Sequence, residues 1–340
     1  MTLDLNKIWI GDVLKELRKL PDGCVHCVVT SPPYWGLRDY GMKGQLGLEK
    51  TPQAYIRKMV LVFREVRRVL RNDGTLWLNI GDSYASVAGG YSPTGSRGAN
   101  ATISANTMAA VLSHKSRNVP SGLKPKDLVG IPWMLAFALR KDGWFLRQDI
   151  IWHKPNPMPE SVTDRCTKAH EHIFLLAKSP IYHFEAAAIA EPAIYRNGRA
   201  GTFDREGNAV AELVVPGQSA AQHRPRKSVK RGDFNGKTNE LPGREAFRAI
   251  TETRNKRSVW SVPTATFNEA HFATFPEAIP EQCIKAGCPE GGVVLDPFFG
   301  AGTTGLVARK LNRNFIGIEL NPKYAAIAEA RLQKELGLFI

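Results

Sequence analysis

The chain has 340 residues, 43% of them hydrophobic and 23% charged, which fits one large globular domain or two smaller ones and excludes wholesale disorder. No run approaches the roughly 18 apolar residues of a membrane span. Against 32 Asp and Glu stand 46 Lys and Arg, a formal net charge of +14 that fits either a basic protein with no special partner or one with a polyanionic partner, since each neutralised phosphate releases counterions.

Met1–Ile10 carries Asp4, Asn6 and Lys7, and no apolar signal segment follows. Val13, Leu14, Leu17 and Leu20 give an apolar face to a helix over Asp12–Leu20, ended by a Pro21-Asp22-Gly23 turn. Valine-rich Cys24–Thr30 is a strand that stops at Ser31-Pro32-Pro33. A helix over Thr51–Leu70 follows from Ile56, Met59, Val60, Phe63, Val66 and Leu70. Asn72-Asp73-Gly74 reads as a turn and Thr75–Ile80 as a strand. Ser83–Val119, rich in Gly, Ser, Ala and Asn, is expected to be a mobile loop. Ile131–Lys141 is a predicted helix, and Trp144–His153 and Glu171–Ala177 are predicted strands.

Glu191–Ser258 breaks the pattern. Its hydrophobic periodicity is poor and it is dense in basic residues, among them Arg224, Arg226, Lys227, Lys230 and Arg231. It reads as an insert in an α/β framework made of residues 1–190 and 259–340. The framework resumes with helix Pro276–Lys285, strand Gly292–Asp296, helix Thr303–Leu311, strand Asn314–Glu319 and helix Lys323–Leu336. This alternation predicts a Rossmann-like fold, a mostly parallel sheet with helices on both faces.

Two segments carry candidate chemistry. Asp296-Pro297-Phe298-Phe299-Gly300-Ala301-Gly302-Thr303 joins a strand to a helix through a glycine loop. Glycines there let the backbone approach a ligand where the helix offers free N–H groups. Gly300-x-Gly302-x-x-Gly305 matches a dinucleotide pattern, and Glu319 ends the next strand, placed for two ribose hydroxyls. A nicotinamide dinucleotide is one reading, and a tight strand–helix turn without a ligand is another. Asp296-Pro297-Phe298-Phe299 intervenes before the first glycine, however, and Asp296 at the strand tip would repel a pyrophosphate while suiting a cation. An adenosyl ligand with a sulfonium and an amino group, S-adenosylmethionine, fits that polarity.

The second segment is Thr30-Ser31-Pro32-Pro33-Tyr34, at the ligand-binding edge of its strand. Two prolines stiffen the backbone and remove two donors, so nearby carbonyls become unpaired acceptors. Ser31 adds a hydroxyl, and Tyr34 and Trp35 add aromatic faces. Such acceptors can hold a planar exocyclic amine, a poor nucleophile because its lone pair is delocalised, and aim it at an electrophile. Without a ligand, the same residues would be a strand-ending turn with a core tyrosine.

Thr30–Tyr34 resembles the (Asp/Asn/Ser)-Pro-Pro-aromatic catalytic motif of amino-group DNA methyltransferases, and Asp296–Gly302 resembles their cofactor motif. The order, catalytic motif first, resembles the permuted β class of bacterial and phage enzymes. The resemblance implies that Ser31, Pro32, Pro33 and Tyr34 are catalytic. It implies that Asp12, Phe272, Ala273, Asp296, Pro297, Phe298, Gly300, Gly302, Thr303 and Glu319 bind S-adenosylmethionine. Trp152-His153-Lys154-Pro155-Asn156 and Ala169-His170-Glu171 resemble further family blocks. Residues 191–258 fall where the family places its target-recognition region, so Arg224, Arg226, Lys227, Lys230 and Arg231 are expected to contact duplex DNA. The base is expected to flip into the pocket and stack on Tyr34. Serine at the first motif position is more typical of N4-cytosine enzymes, with N6-adenine the alternative. A homodimer, a place in restriction-modification and a bacterial or phage-infected cytoplasm are further implications. A catalytically dead DNA-binding protein remains the third reading.

Other signals are weak. Cys24-x-x-Cys27 is half a zinc site without a second pair, so no metal is expected. Five cysteines in no framework fit a reducing compartment. Cys283 and Cys288 fit a helix and its cap. No Pro-Cys dipeptide exists to serve C5-cytosine methylation.

Overall fold

A computed structural model describes residues 3–85, 122–192, 253–264 and 275–337. Strand β1 (Lys7–Ile10) leads to helix α1 (Val13–Leu17), strand β2 (Val25–Thr30), helix α2 (Pro52–Val69) and strand β3 (Leu70–Ile80). Helix α3 (Ile131–Lys141) precedes strands β4 (Phe145–His153) and β5 (His170–Ala177). After the short pair β6 (Glu191–Pro192) and β7 (Thr253–Arg254) come β8 (Val259–Ser261), helix α4 (Ala278–Gly287), strand β9 (Val293–Asp296), helix α5 (Thr303–Lys310), strand β10 (Asn314–Glu319) and helix α6 (Pro322–Leu336).

Eight strands form one sheet in the order β1-β10-β9-β2-β3-β5-β4-β8, and β5 alone runs antiparallel to its neighbours. The mostly parallel sheet is therefore as expected. Residues late in the chain, β9 and β10, sit between β1 and β2. The side-chain period of two explains how both faces are covered. Val28, Leu76, Leu78 and Leu295 pack with α1, α2 and α3 on one face. Their neighbours Cys27, Val29, Trp77 and Val294 pack with α4, α5 and α6 on the other.

Some local expectations need correction. The helix expected over Asp12–Leu20 is only Val13–Leu17, capped by the Asp12 side chain, which accepts from the Lys15 N–H. The expected turn at Asn72-Asp73-Gly74 lies inside β3 as an irregularity, where pairing jumps from Val25↔Leu70 to Cys27↔Thr75. Strand β1 was not expected at all. Ser83–Ala85, the first residues of the expected loop, are tied to 127–129 by backbone hydrogen bonds; 86–121 lie outside the described residues.

Contacts divide the chain into Met1–Ile189 with Arg257–Ile340, and a second unit, Ala190–Lys256. The described part of the second unit is the antiparallel β6–β7 pair, where Glu191 faces Arg254 and Lys256. Among the described residues no helix is long and apolar enough to cross a membrane, and no cluster of three or more His, Cys, Asp or Glu could hold a metal. Cys283 lies in α4 and Cys288 caps its C-terminus, both thiols pushed up by burial.

Candidate active site

The parallel strands β2, β9 and β10 end together, and a cavity of about 320 Å³ opens at their C-terminal tips. That is where open α/β sheets bind ligands. Ser31, Pro32, Pro33 and Tyr34 line it beside Asp296, Pro297, Phe298, Gly300 and Thr303, with Asp12 and Glu319 at the same wall. The two motifs, distant along the chain, thus share one cavity.

Hydrogen bonds fix the strand tips. Asp296 is buried; its carboxylate accepts from Thr30 Oγ1 at 2.6 Å, Thr304 Oγ1 at 2.7 Å and the Phe298 N–H at 3.0 Å. Burial pushes its pKa up to about 6 despite these donors. Glu319 accepts the Gly300 N–H and the Asn321 N–H, both at 2.8 Å. The Leu320 N–H adds a third backbone donor, and the carboxylate lines the cavity with acceptor capacity to spare. Burial raises its pKa too.

Gly302 departs from its expected role. It does not line the cavity: its N–H is taken by the Phe299 carbonyl at 2.9 Å, and it starts α5 at φ +77°, with Ala328 against the place of a Cβ. Gly305 likewise packs: a Cβ there would lie 2.6 Å from the Phe299 ring. Two of the three glycines in the pattern serve the turn and the core. Phe272, Ala273, Arg224, Arg226, Lys227, Lys230 and Arg231 lie outside the described residues.

The diproline ledge is held by its neighbours. Tyr55 donates to the Pro33 carbonyl at 2.9 Å, so that acceptor is taken from within. Tyr34 donates its phenol to Glu171 Oε2 at 2.6 Å. Lys154 Nζ holds Glu171 Oε1 at 2.5 Å and lies 4.5 Å from the centre of the Trp152 ring. Asn79 Nδ2 shares its two N–H bonds among three acceptors, Tyr34 at 3.0 Å, Glu171 at 3.1 Å and Ser31 at 3.4 Å. Burial would raise Glu171, but Lys154 and the donors from Lys154, Tyr34 and Asn79 outweigh it and hold the carboxyl below its ordinary range. Burial and the Glu171 charge push the Tyr34 phenol well up, so it stays protonated.

Sequence reasoning missed Asn79 as a site residue and named Lys154 and Glu171 only as parts of family-like blocks. It also missed the wall from 37 to 46, where Leu37, Arg38, Tyr40 and Gln45 face the cavity. The loop's glycines, Gly36, Gly41, Gly44 and Gly47, all have positive φ and were the available signal.

Residues 25–330 match a family model described as DNA methylase (N6_N4_Mtase). The chain is 43% identical over 335 residues to the type II methyltransferase M.Cfr9I of Citrobacter freundii, covering 98% of this chain and 90% of that protein. It is 45% identical over 323 residues to the type II methyltransferase M.XycI of Xanthomonas campestris pv. cyanopsidis, covering 95% and 86%. Among solved structures, the PvuII DNA methyltransferase (cytosine-N4-specific) superposes with a TM-score of 0.57 at 17% identity, over 96% of this chain and 86% of that one. That last likeness is one of fold.

Proposed function

The chain belongs to the amino-group DNA methylase family that it matches over 25–330, and from that premise we propose that it methylates the N4 amino group of a cytosine in duplex DNA. The observation that carries the proposal is the shared cavity, with the Ser31–Tyr34 ledge at the tip of β2 and the Asp296–Thr303 loop at the tip of β9. The nicotinamide reading falls with the family match.

The wall fits S-adenosylmethionine. Gly300, at φ +52° with nothing within 4 Å of a would-be Cβ, leaves backbone open to a close ligand. Glu319 keeps acceptor capacity suited to a ribose diol, Asp12 lines the wall for an adenine amine, and Asp296 supplies an acid near a cationic centre. Bound there, the cofactor supplies an electrophilic methyl group. Ser31 and the Pro32 carbonyl hold the base amine through its N–H bonds, which favours a pyramidal nitrogen with its lone pair aimed across the cavity. Tyr34 gives its ring face to the flipped base, which leaves the duplex because the amine is otherwise out of reach. Ser31 favours cytosine. Residues 191–258 read the target, and Arg224, Arg226, Lys227, Lys230 and Arg231 neutralise phosphates. The DNA substrate we propose fits work in the cytoplasm of a bacterial or phage-infected cell.

The test uses tritiated S-adenosylmethionine and whole-genome-amplified bacterial DNA, which carries no modified bases, followed by nucleoside mass spectrometry. N4-methylcytosine is expected. N6-methyladenine would replace the base assignment, and no label in DNA would end the proposal.

A further inference from the structure

Glu171 is a largely buried carboxylate that the reaction as described does not use. Its side chain is 14% exposed and that of its partner Lys154 is 19% exposed. A buried pair needs further hydrogen bonds to offset desolvation, and here they come from Tyr34, on the ledge itself, and from Asn79 beside it. An ionised carboxylate can only accept. The Tyr34 O–H must therefore point at Glu171, and the Asn79 amide must turn its nitrogen toward it. With its proton committed, the Tyr34 oxygen is left to accept, and it does so from Ser31 Oγ at 3.4 Å and Asn79 Nδ2 at 3.0 Å. The Ser31 hydroxyl then spends its one proton on Tyr34, and the Asn79 amide, whose two N–H bonds are shared among Glu171, Tyr34 and Ser31, takes at most one of its lone pairs. What it has left is a lone pair, and Ser31 lines the cavity.

We propose that Glu171 is a positioning residue: its negative charge sets the direction of the hydrogen bonds running through Tyr34 and Asn79 to Ser31, so that Ser31 presents an acceptor, not a donor, to the substrate amine. The inference rests on the methyltransferase reading, since only an amine substrate requires an acceptor there. It also gives Lys154 a part, that of stabilising Glu171 as an anion where both side chains are largely buried. A neutral residue of the same shape would let the network reverse, and a reversed Ser31 proton would meet the N–H of the amine head on.

The experiment compares Glu171→Gln, which keeps shape but not charge, with Glu171→Asp, which keeps charge but not length. Methyl transfer from S-adenosylmethionine to whole-genome-amplified DNA is measured with cofactor binding by calorimetry. For Glu171→Gln, kcat should fall roughly a hundredfold, the scale for loss of one oriented polar contact at a reacting centre, with the cofactor Kd and the KM for DNA unchanged. Glu171→Asp should lose less. In a Tyr34→Phe background, where the Tyr34 arm of the relay is already cut and only the longer Asn79 arm is left, Glu171→Gln should cost less than about tenfold, the non-additivity expected of coupled groups. Equal losses in both backgrounds, a Gln variant no worse than the Asp variant, or a cofactor Kd that weakens in step with kcat would each overturn the role. A wild-type protein that labels no DNA would instead overturn the methyltransferase reading, whereas an active wild type with an unimpaired Glu171→Gln would overturn this inference alone.

Discussion

Thr30 Oγ1 donates to Asp296 Oδ1 at 2.6 Å across 266 positions of sequence. The bond joins the tips of β2 and β9 and holds the diproline ledge and the glycine loop on one rim. Thr30→Val keeps the shape and removes the donor. Asp296 Oδ1 then keeps only the Phe298 N–H, and losing a hydrogen bond to a buried carboxylate costs about 1–3 kcal/mol. Urea denaturation should show a lower midpoint with an unchanged slope. An unmoved midpoint would mean that the strand tips are held by packing alone.

Asp296 predicts a pH dependence. Burial raises its folded pKa to about 6, above the roughly 4 of an unfolded aspartate. Its contribution to stability is fully present below the unfolded value and is lost as pH rises through about 6, because the folded chain holds the extra proton in that window. A cation bound nearby favours the ionised form, so cofactor affinity should rise with pH through about 6 and then level off. Calorimetric titrations between about pH 5 and 8 check this. Asp296→Asn should flatten the profile. A flat wild-type profile would remove Asp296 from recognition of the cation.

Tyr34→Ala should lose methyl transfer while retaining cofactor binding, since the ring is assigned to the base. Stacking on an aromatic is worth about 1–3 kcal/mol per base, so kcat/KM for DNA should fall by about that much. An equal loss of cofactor affinity would count against a role in base binding.

Gly317→Ala tests the core beneath the loop. A Cβ at Gly317 would lie 2.5 Å from the Phe299 ring, which stacks on Phe315 with centroids 5.4 Å apart. The ring has no free side to move toward, so the fold should lose about 1–3 kcal/mol from overpacking. Thermal unfolding measures it; wild-type stability would mean that Phe299 shifts at little cost.

Reversing the charges of Arg224, Arg226 and Lys227 together should weaken DNA binding and flatten its salt dependence, by roughly 0.9 in log–log slope for each lost phosphate contact. An unchanged slope in a binding titration across salt concentrations would take these residues out of the interface.

The sequence by itself determined the parts. Val-rich strands, the stop at Pro32-Pro33 and the Asp296–Gly302 loop follow local rules, because each depends only on residues adjacent along the chain. The same rules fail at β1, a four-residue edge strand too short for a periodic signal, and at 71–74, where a local turn signature is absorbed into β3. They also overstate Gly302, whose part is decided by Ala328 on another helix. Tertiary structure alone decided the company that Tyr34 keeps. Asn79 and Glu171 arrive from different strands through the antiparallel pairings Asn79↔Ile173 and Trp152↔Glu171, with Lys154 just beyond the second. That register is selected by burial on both faces of the sheet at once, a condition summed over residues far apart in sequence and therefore invisible in any one segment of it.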